Sequence, residues 1–219
     1  MLSLTIMFAA ALLTGNVRAD KKVFYDLNLN RVQYEGVPLA VEEKPQPVKV
    51  DGGEELGLTV PEGFTVTRYA DDTLAHDIFA MTIDTQGRVV VSGPGYVKIL
   101  VDSNNDGVAD QAINFADGPK TGAQGLYFYG RNLLCTGDAG LIHYKDENAD
   151  DRADGPPDVL LKIKTGGEHH AHAIRRGPDG WWYLIAGNVS EVTKGYATES
   201  TSPIKTPHGG VILRLKPDA

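Results

Sequence analysis

From residue 79 onward, short apolar runs alternate with polar turns along the chain, without the three-to-four-residue period of an amphipathic helix. The runs are rich in Val, Ile, Leu and Tyr and are bounded by Gly, Pro, Asn or Asp, which is typical of β-strands. The pattern predicts strands over residues 79–83, 88–92, 96–101, 111–115, 125–128, 132–136, 141–144, 159–163, 173–176, 181–186 and 211–215. Because an α/β fold requires helices between its strands, the pattern favours an all-β fold.

The predicted strands fall into three similar units. Each unit opens with a hairpin whose turn ends at a glycine (Gly87, Gly130 or Gly180), so the repeat is about 40–50 residues long. Four strands per unit at this period predict a β-propeller of four-stranded blades. The third unit carries an insertion at 188–208 and lacks a fourth strand, so residues 61–219 are expected to form about two and three-quarter blades of an incomplete ring. We expect six blades in the complete ring and interpret the chain as an N-terminal fragment of a longer protein.

The N-terminal segment has a different composition. Residues 2–13 are apolar and are followed by a short segment that ends in Ala19, which predicts a secretory signal peptide over residues 1–19. Cleavage after Ala19 implies a secreted or periplasmic protein, and an uncleaved anchor is the alternative. The apolar run is too short to span a bilayer as a helix. Residues 20–60 have no regular period and contain several prolines, so they are predicted to be an irregular lead-in or linker.

The net charge excludes nucleic-acid binding, and the cysteine content excludes an internal disulfide. The formal net charge is −8, and no basic face is visible that could bind the phosphates of a nucleic acid. Cys135 is the only cysteine, so no internal disulfide can form. It lies in an apolar run, where a buried and inert thiol is expected rather than a nucleophile.

Two Asp-rich loops occupy equivalent places in the first two units. The oxygen-bearing side chains of the first are Asp102, Asn104, Asp106 and Asp110, and those of the second are Asp146, Asn148, Asp150 and Asp154. Their spacing matches the first part of an EF-hand loop, with Gly107 at the sharp turn and Asp151 in its place in the second loop. We expect Ca²⁺ in both loops, where it would staple a hairpin rather than take part in catalysis. The alternative is an ordinary Asx-rich turn.

A histidine cluster, Glu168-His169-His170-Ala171-His172, precedes the first strand of the third unit. If the strand began here, His170 and His172 would share one face and His169 would point the other way. Innermost strands line the channel of a propeller, where a histidine can act as a general base. The alternative is a hydrogen-bonded histidine packed between blades. No third ligand for a metal is identifiable, and Trp181 and Trp182 are expected to pack between blades.

The run from Glu168 to Gly180, followed by Tyr183 and Gly187-Asn188, resembles the soluble quinoprotein glucose/sorbosone dehydrogenase propellers. It resembles still more closely the large secreted "membrane-bound dehydrogenase"-type propellers of planctomycetes, over about residues 60–219. The resemblance implies oxidation of a sugar or alcohol hydroxyl by hydride transfer to pyrroloquinoline quinone (PQQ). It nominates His169, eight residues before Gly177, as the catalytic base, while the residues that bind the cofactor stay unknown. The alternative is a non-catalytic extracellular propeller that binds carbohydrate or protein, beside a fused haem domain.

Overall fold

The computed structural model describes residues 57–61, 63–207 and 210–216, together with three short N-terminal strands. Apart from residues 7–8, the predicted signal peptide lies outside the described residues, as does most of the predicted lead-in. The chain forms two compact units, Met7–Arg68 and Tyr69–Ala219, the latter together with Met1–Ile6. The boundary between the units falls at residues 68/69.

The first unit contains two short antiparallel pairs. Strand β1 (Met7–Phe8) pairs with β4 (Thr67–Arg68), and β2 (Val23–Asp26) pairs with β3 (Arg31–Tyr34). The β2–β3 hairpin lies in a segment for which no regular structure is predicted. Strands β1 and β4 pair over two residues each.

The second unit contains three antiparallel sheets, each formed by consecutive strands. The first blade consists of β5 (Ala80–Ile83), β6 (Val89–Gly93), β7 (Tyr96–Val101) and β8 (Gln111–Ala116). The second consists of β9 (Gly125–Tyr129), β10 (Asn132–Gly137), β11 (Gly140–Tyr144) and β12 (Asp158–Lys162). The third has three strands, β13 (Ala171–Arg176), β14 (Trp182–Ala186) and β15 (Val211–Leu215). This arrangement confirms the all-β propeller with an incomplete ring.

The insertion between β14 and β15 carries the one helical segment within the described ranges, the 3₁₀ turn Lys194–Tyr196. Its Tyr196 hydroxyl donates a hydrogen bond to the carbonyl of Lys162 over 2.8 Å, which fastens the insertion to the second blade. None of the helical structure in the described residues is long and apolar enough to cross a membrane.

The hydrophobic core lies between the blades. The first boundary is filled by side chains of both adjacent blades, including Val90, Val97, Ile99, Leu126, Leu133, Cys135 and Ile142. The second is filled in the same way, including Leu134, Leu141, Ile174, Trp182 and Leu184. Strand β5 lies beside β9 and β9 beside β13, so these are the innermost strands. The core position of Cys135 confirms the expectation of a buried thiol, and burial raises its pKa far above the ordinary value.

Trp182 confirms its predicted role in packing between blades. Its ring lies edge-on to Tyr127 and Tyr129 of the second blade, with centroid separations of 5.5 and 5.3 Å. Trp181 behaves differently, because Arg214 of its own blade stacks over its ring at 3.8 Å. Because Arg214 belongs to the same blade, this contact leaves the packing of Trp181 between blades a prediction.

Candidate functional site

The histidine cluster lies where the chain enters β13, the innermost strand of the third blade. The amide of Ala171 donates a hydrogen bond to the carbonyl of Lys164, which closes the turn that carries the histidines. The segment after β14 holds the same backbone from the other side, since the amides of Gly187 and Val189 donate to the carbonyls of His170 and His169. The strand begins only at Ala171, so strand alternation does not set the directions of the His169 and His170 side chains.

Two of the three imidazoles are oriented by backbone carbonyls. His170 Nδ1 lies 2.7 Å from the carbonyl oxygen of Thr165, and His172 Nε2 lies 2.7 Å from that of Glu168. Because a carbonyl oxygen only accepts, each of these ring nitrogens carries the hydrogen. In the neutral imidazoles the opposite nitrogens, His170 Nε2 and His172 Nδ1, are therefore left with the lone pair.

His169 is the exposed histidine of the cluster. Among the described residues, its imidazole has no hydrogen-bond partner, in contrast to those of His170 and His172. Both of its ring nitrogens are therefore open to an incoming ligand. This arrangement is compatible with a general base, which must reach the proton that it abstracts.

The second blade fixes the position of the cluster. Thr136 Oγ1, on β10, donates a hydrogen bond of 2.8 Å to the carbonyl of His172. The first blade makes a similar link, where Ser92 Oγ on β6 accepts the amide of Ala123 at 3.0 Å, just before β9. The backbones also approach closely, since a Cβ built on Gly125 would lie 2.2 Å from the carbonyl oxygen of His172. The segments that lead into β9 and β13 are thus each hydrogen-bonded to the preceding blade.

The two cations that flank the cluster in sequence already have partners. Lys164 Nζ lies 2.8 Å from Glu191 Oε1, and this pairing lowers the pKa of the Glu191 carboxyl. Arg175 Nη1 donates to the carbonyls of Leu126 and Ile174, at 2.9 and 2.8 Å. Neither side chain is therefore available as it stands to bind an anionic group of a ligand.

In the first Asp-rich loop, the predicted ligands accept hydrogen bonds from backbone amides. The Asp102 carboxylate accepts the amides of Asp106 and Gly107, at 3.2 and 2.8 Å. Asn104 Oδ1 accepts the Asp106 amide at 3.0 Å, and Asp110 Oδ2 accepts that of Ser103 at 3.2 Å. The carboxylates therefore stabilise the turn of the loop.

The second loop repeats the arrangement. The Asp146 carboxylate accepts three backbone amides, Asn148 Oδ1 accepts that of Asp150, and Asp154 Oδ2 accepts that of Glu147. The backbones also match, because φ is positive at two equivalent pairs of positions: Asn105 (59°) with Ala149 (64°), and Gly107 (89°) with Asp151 (64°). In the part of the chain that the structure describes, no group of three or more His, Cys, Asp or Glu side chains is arranged to hold a metal ion. Calcium in these loops stays a prediction.

Sequence reasoning missed the partner of Asp151. The guanidinium of Arg88, in the turn between β5 and β6, contacts both carboxylate oxygens of Asp151 across the blade boundary. Its Nε also donates to Asp84 Oδ2 at 2.7 Å. One signal in the sequence could have pointed to a special role for Asp151. It is an acidic residue at the position where the first loop has a glycine, and the loop requires a positive φ there.

Comparison with known proteins gives one match. A family model described as a domain of unknown function (DUF7133) matches residues 55–218, which is most of the chain. No curated protein matches. No solved structure matches. The matched range contains all three blades, both Asp-rich loops and the histidine cluster, and the chain belongs to the DUF7133 family.

Proposed function

We propose that this chain is part of a secreted propeller that oxidises a hydroxyl of a sugar or an alcohol, with His169 as the base. The observation that carries the proposal is the state of the three histidines at the entry of an innermost strand. His169 is exposed, while His170 and His172 are each oriented by a backbone carbonyl. The resemblance of this run to quinoprotein dehydrogenases supports the same assignment.

In this proposal the three histidines have two roles. His169 takes up the proton of the substrate hydroxyl through a ring nitrogen. The lone pairs of His170 Nε2 and His172 Nδ1 accept hydrogen bonds from other hydroxyls of the substrate and so orient it. PQQ would supply the redox chemistry, as the acceptor of the hydride on the carbon that bears this hydroxyl.

The described residues fit the base better than they fit the quinone. PQQ carries carboxylates and requires cations around it, but Lys164 and Arg175 are engaged by Glu191 and by backbone carbonyls. We therefore assign no contact with the quinone to the described residues. In this proposal the third blade therefore contributes the base, His169, and the two histidines that orient the substrate, His170 and His172.

The proposal is tested by reconstituting the complete protein with PQQ and Ca²⁺. Reduction of an artificial electron acceptor is followed with a panel of aldoses and alcohols. Saturable turnover with at least one of them is expected. The absence of both quinone binding and turnover would contradict the proposal, and saturable carbohydrate binding without turnover would instead favour a non-catalytic propeller.

We further propose that both Asp-rich loops bind Ca²⁺ in a structural role. Support comes from the repetition of the same amide contacts and the same backbone conformation in two blades. A site that binds only the folded chain stabilises it by about 2.7 kcal/mol when free Ca²⁺ is at 100 times its Kd. Urea unfolding with Ca²⁺ and with EDTA measures this effect. Asp106→Asn should reduce it while Glu147→Gln should not, and equal stability with and without Ca²⁺ would contradict the assignment.

A further inference from the structure

Arg176 is an exposed arginine whose side chain is held in place without a carboxylate partner. It ends β13, at the opposite end of this strand from the histidine cluster and roughly 17 Å from the first residue of the strand. Its Nε donates a hydrogen bond to the carbonyl of Gly180 over 3.2 Å. Within the part of the chain that the structure describes, no acidic side chain accepts a hydrogen bond from its Nη1 or Nη2. The remaining hydrogens of this guanidinium are therefore open to a ligand.

Two aromatic rings hold the guanidinium of Arg176. Its central carbon lies 4.8 Å from the centroid of the Tyr129 ring and 5.7 Å from that of the Trp182 ring. Tyr129 ends β9 of the second blade and Trp182 begins β14 of the third, so the stacked group lies at the boundary between two blades. Because these contacts fix the side chain before a ligand arrives, little conformational entropy is lost on binding.

Tyr129 adds an apolar surface beside this cation. It remains 46% exposed, although Arg176 and Trp182 both contact it. Its hydroxyl has no hydrogen-bond partner among the described residues. The side chain thus offers a flat apolar ring and a free polar tip. The C–H face of a pyranose packs against such a ring while its hydroxyls bond to the tip, which favours a sugar over a peptide as the ligand.

Another stacked arginine shows what distinguishes Arg176. Arg214 lies 3.8 Å over the ring of Trp181, but its Nη2 is already paired with Asp179 at 2.8 Å. Arg176 has the same kind of aromatic support and no such carboxylate. In a chain with a net charge of −8, a fixed and unpaired guanidinium is suited to a carboxylate that comes from a ligand.

We propose that Arg176 and Tyr129 form a binding site for a uronic acid residue of an acidic carbohydrate, separate from the histidine cluster. The guanidinium of Arg176 donates parallel hydrogen bonds to the carboxylate of the sugar, which match its planar, fork-like arrangement of donors. The ring of Tyr129 packs against the apolar face of the same carbohydrate. Binding here requires neither a quinone nor a metal ion, so the site does not depend on the proposed dehydrogenase activity.

The test measures binding to the complete protein by isothermal titration calorimetry. The probes are an oligomer of galacturonic acid, the methyl ester of the same oligomer, and an oligoglutamate peptide. Arg176→Met removes the guanidinium, and Tyr129→Leu removes the ring. Arg152→Met is the matched control, because it removes the same charge from an exposed arginine that stacks on no ring among the described residues.

We expect saturable binding of the oligogalacturonate, with a Kd that rises about tenfold or more in Arg176→Met and severalfold in Tyr129→Leu. Arg152→Met should raise the Kd by less than about twofold. The methyl ester should bind about tenfold more weakly, because it carries no charged acceptor for the guanidinium. If Arg176→Met fails to fold, Arg176→Lys replaces it and should also weaken binding, since lysine keeps the charge but lacks the fork.

The absence of oligogalacturonate binding would overturn the proposal. Equal binding of the ester, or equal losses for the variants at positions 176 and 152, would also overturn it, because the attraction would then not depend on the fixed guanidinium. Binding of the oligoglutamate peptide that requires Arg176, without binding of the sugar, would instead assign the site to an acidic peptide. None of these outcomes bears on the turnover expected at the histidine cluster.

Discussion

Arg88 and Asp151 join the first blade to the second through two parallel contacts, each 2.6 Å long. The two residues are 63 positions apart in sequence. Asp151 stands at the turn of the second Asp-rich loop with a φ of 64°, where the first loop has Gly107. The bidentate pair with Arg88 offsets the free-energy cost of the left-handed backbone conformation at Asp151. It also holds the second Asp-rich loop against the first blade.

Replacing Arg88 should destabilise the propeller. Arg88→Met leaves the nearly buried carboxylate of Asp84 and the half-buried one of Asp151 without their cation. We expect the free energy of unfolding to fall by about 2 kcal/mol, between the values for exposed and buried pairs. Urea denaturation measures this change. Lys145→Met removes a pair that is more exposed on both sides and should cost under about 1 kcal/mol, so equal losses for the two variants would contradict the account.

The same pair should make stability depend on acid pH. The hydrogen bond from Arg88 lowers the pKa of Asp151 below its ordinary value of 3.8. The stabilisation is therefore complete above about pH 4 and is lost as the pH falls through the lower pKa of the folded state. Thermal unfolding from about pH 6 down to about pH 2 should show a smaller fall in Tm for Asp151→Asn than for the unmodified chain. Parallel curves would show that this carboxyl does not contribute.

Much of the fold could be predicted because the alternation of apolar runs and polar turns determines where the strands and turns lie. The strands of the three blades start and end within two residues of their predicted positions, and the turn glycines Gly87, Gly130 and Gly180 all have positive φ. The Arg88–Asp151 pair could not be predicted in this way, because alternation shows which side a residue faces but not which distant residue it meets. The lead-in hairpin β2–β3 was missed because each of its strands is only four residues long.

Removing the Thr136 hydroxyl should weaken the link between the second and third blades. Thr136→Val keeps the shape of the side chain but leaves the carbonyl of His172 without this donor. The expected loss is about 1 kcal/mol in the free energy of unfolding, measured with urea. Thr85→Val removes a hydrogen bond of similar span at an exposed site, to the carbonyl of Gly130, and should cost less. A loss for Thr136→Val no larger than for this control would contradict the role of Thr136.

Adding a methyl group at Gly125 should be more damaging. Its Cβ would collide with the carbonyl oxygen of His172, which belongs to the backbone and cannot rotate away. We expect Gly125→Ala to lower the free energy of unfolding by about 3 kcal/mol, as overpacking in a rigid core does. Gly155→Ala is the control, because no atom lies within 4 Å of the added carbon. Similar stabilities for the two variants would show that β9 and β13 are less tightly apposed than described.

The most direct test of the central claim is the turnover of His169→Ala in the complete, reconstituted protein. Using the substrate identified with the unmodified protein, kcat and KM are compared for His169→Ala and for His76→Ala, an exposed histidine on the segment before β5. Loss of the base should lower kcat by about 10²–10⁴-fold with a smaller change in KM, while His76→Ala stays near the unmodified rate. Unchanged kcat in His169→Ala would contradict the assignment of the base and, with it, the proposed site.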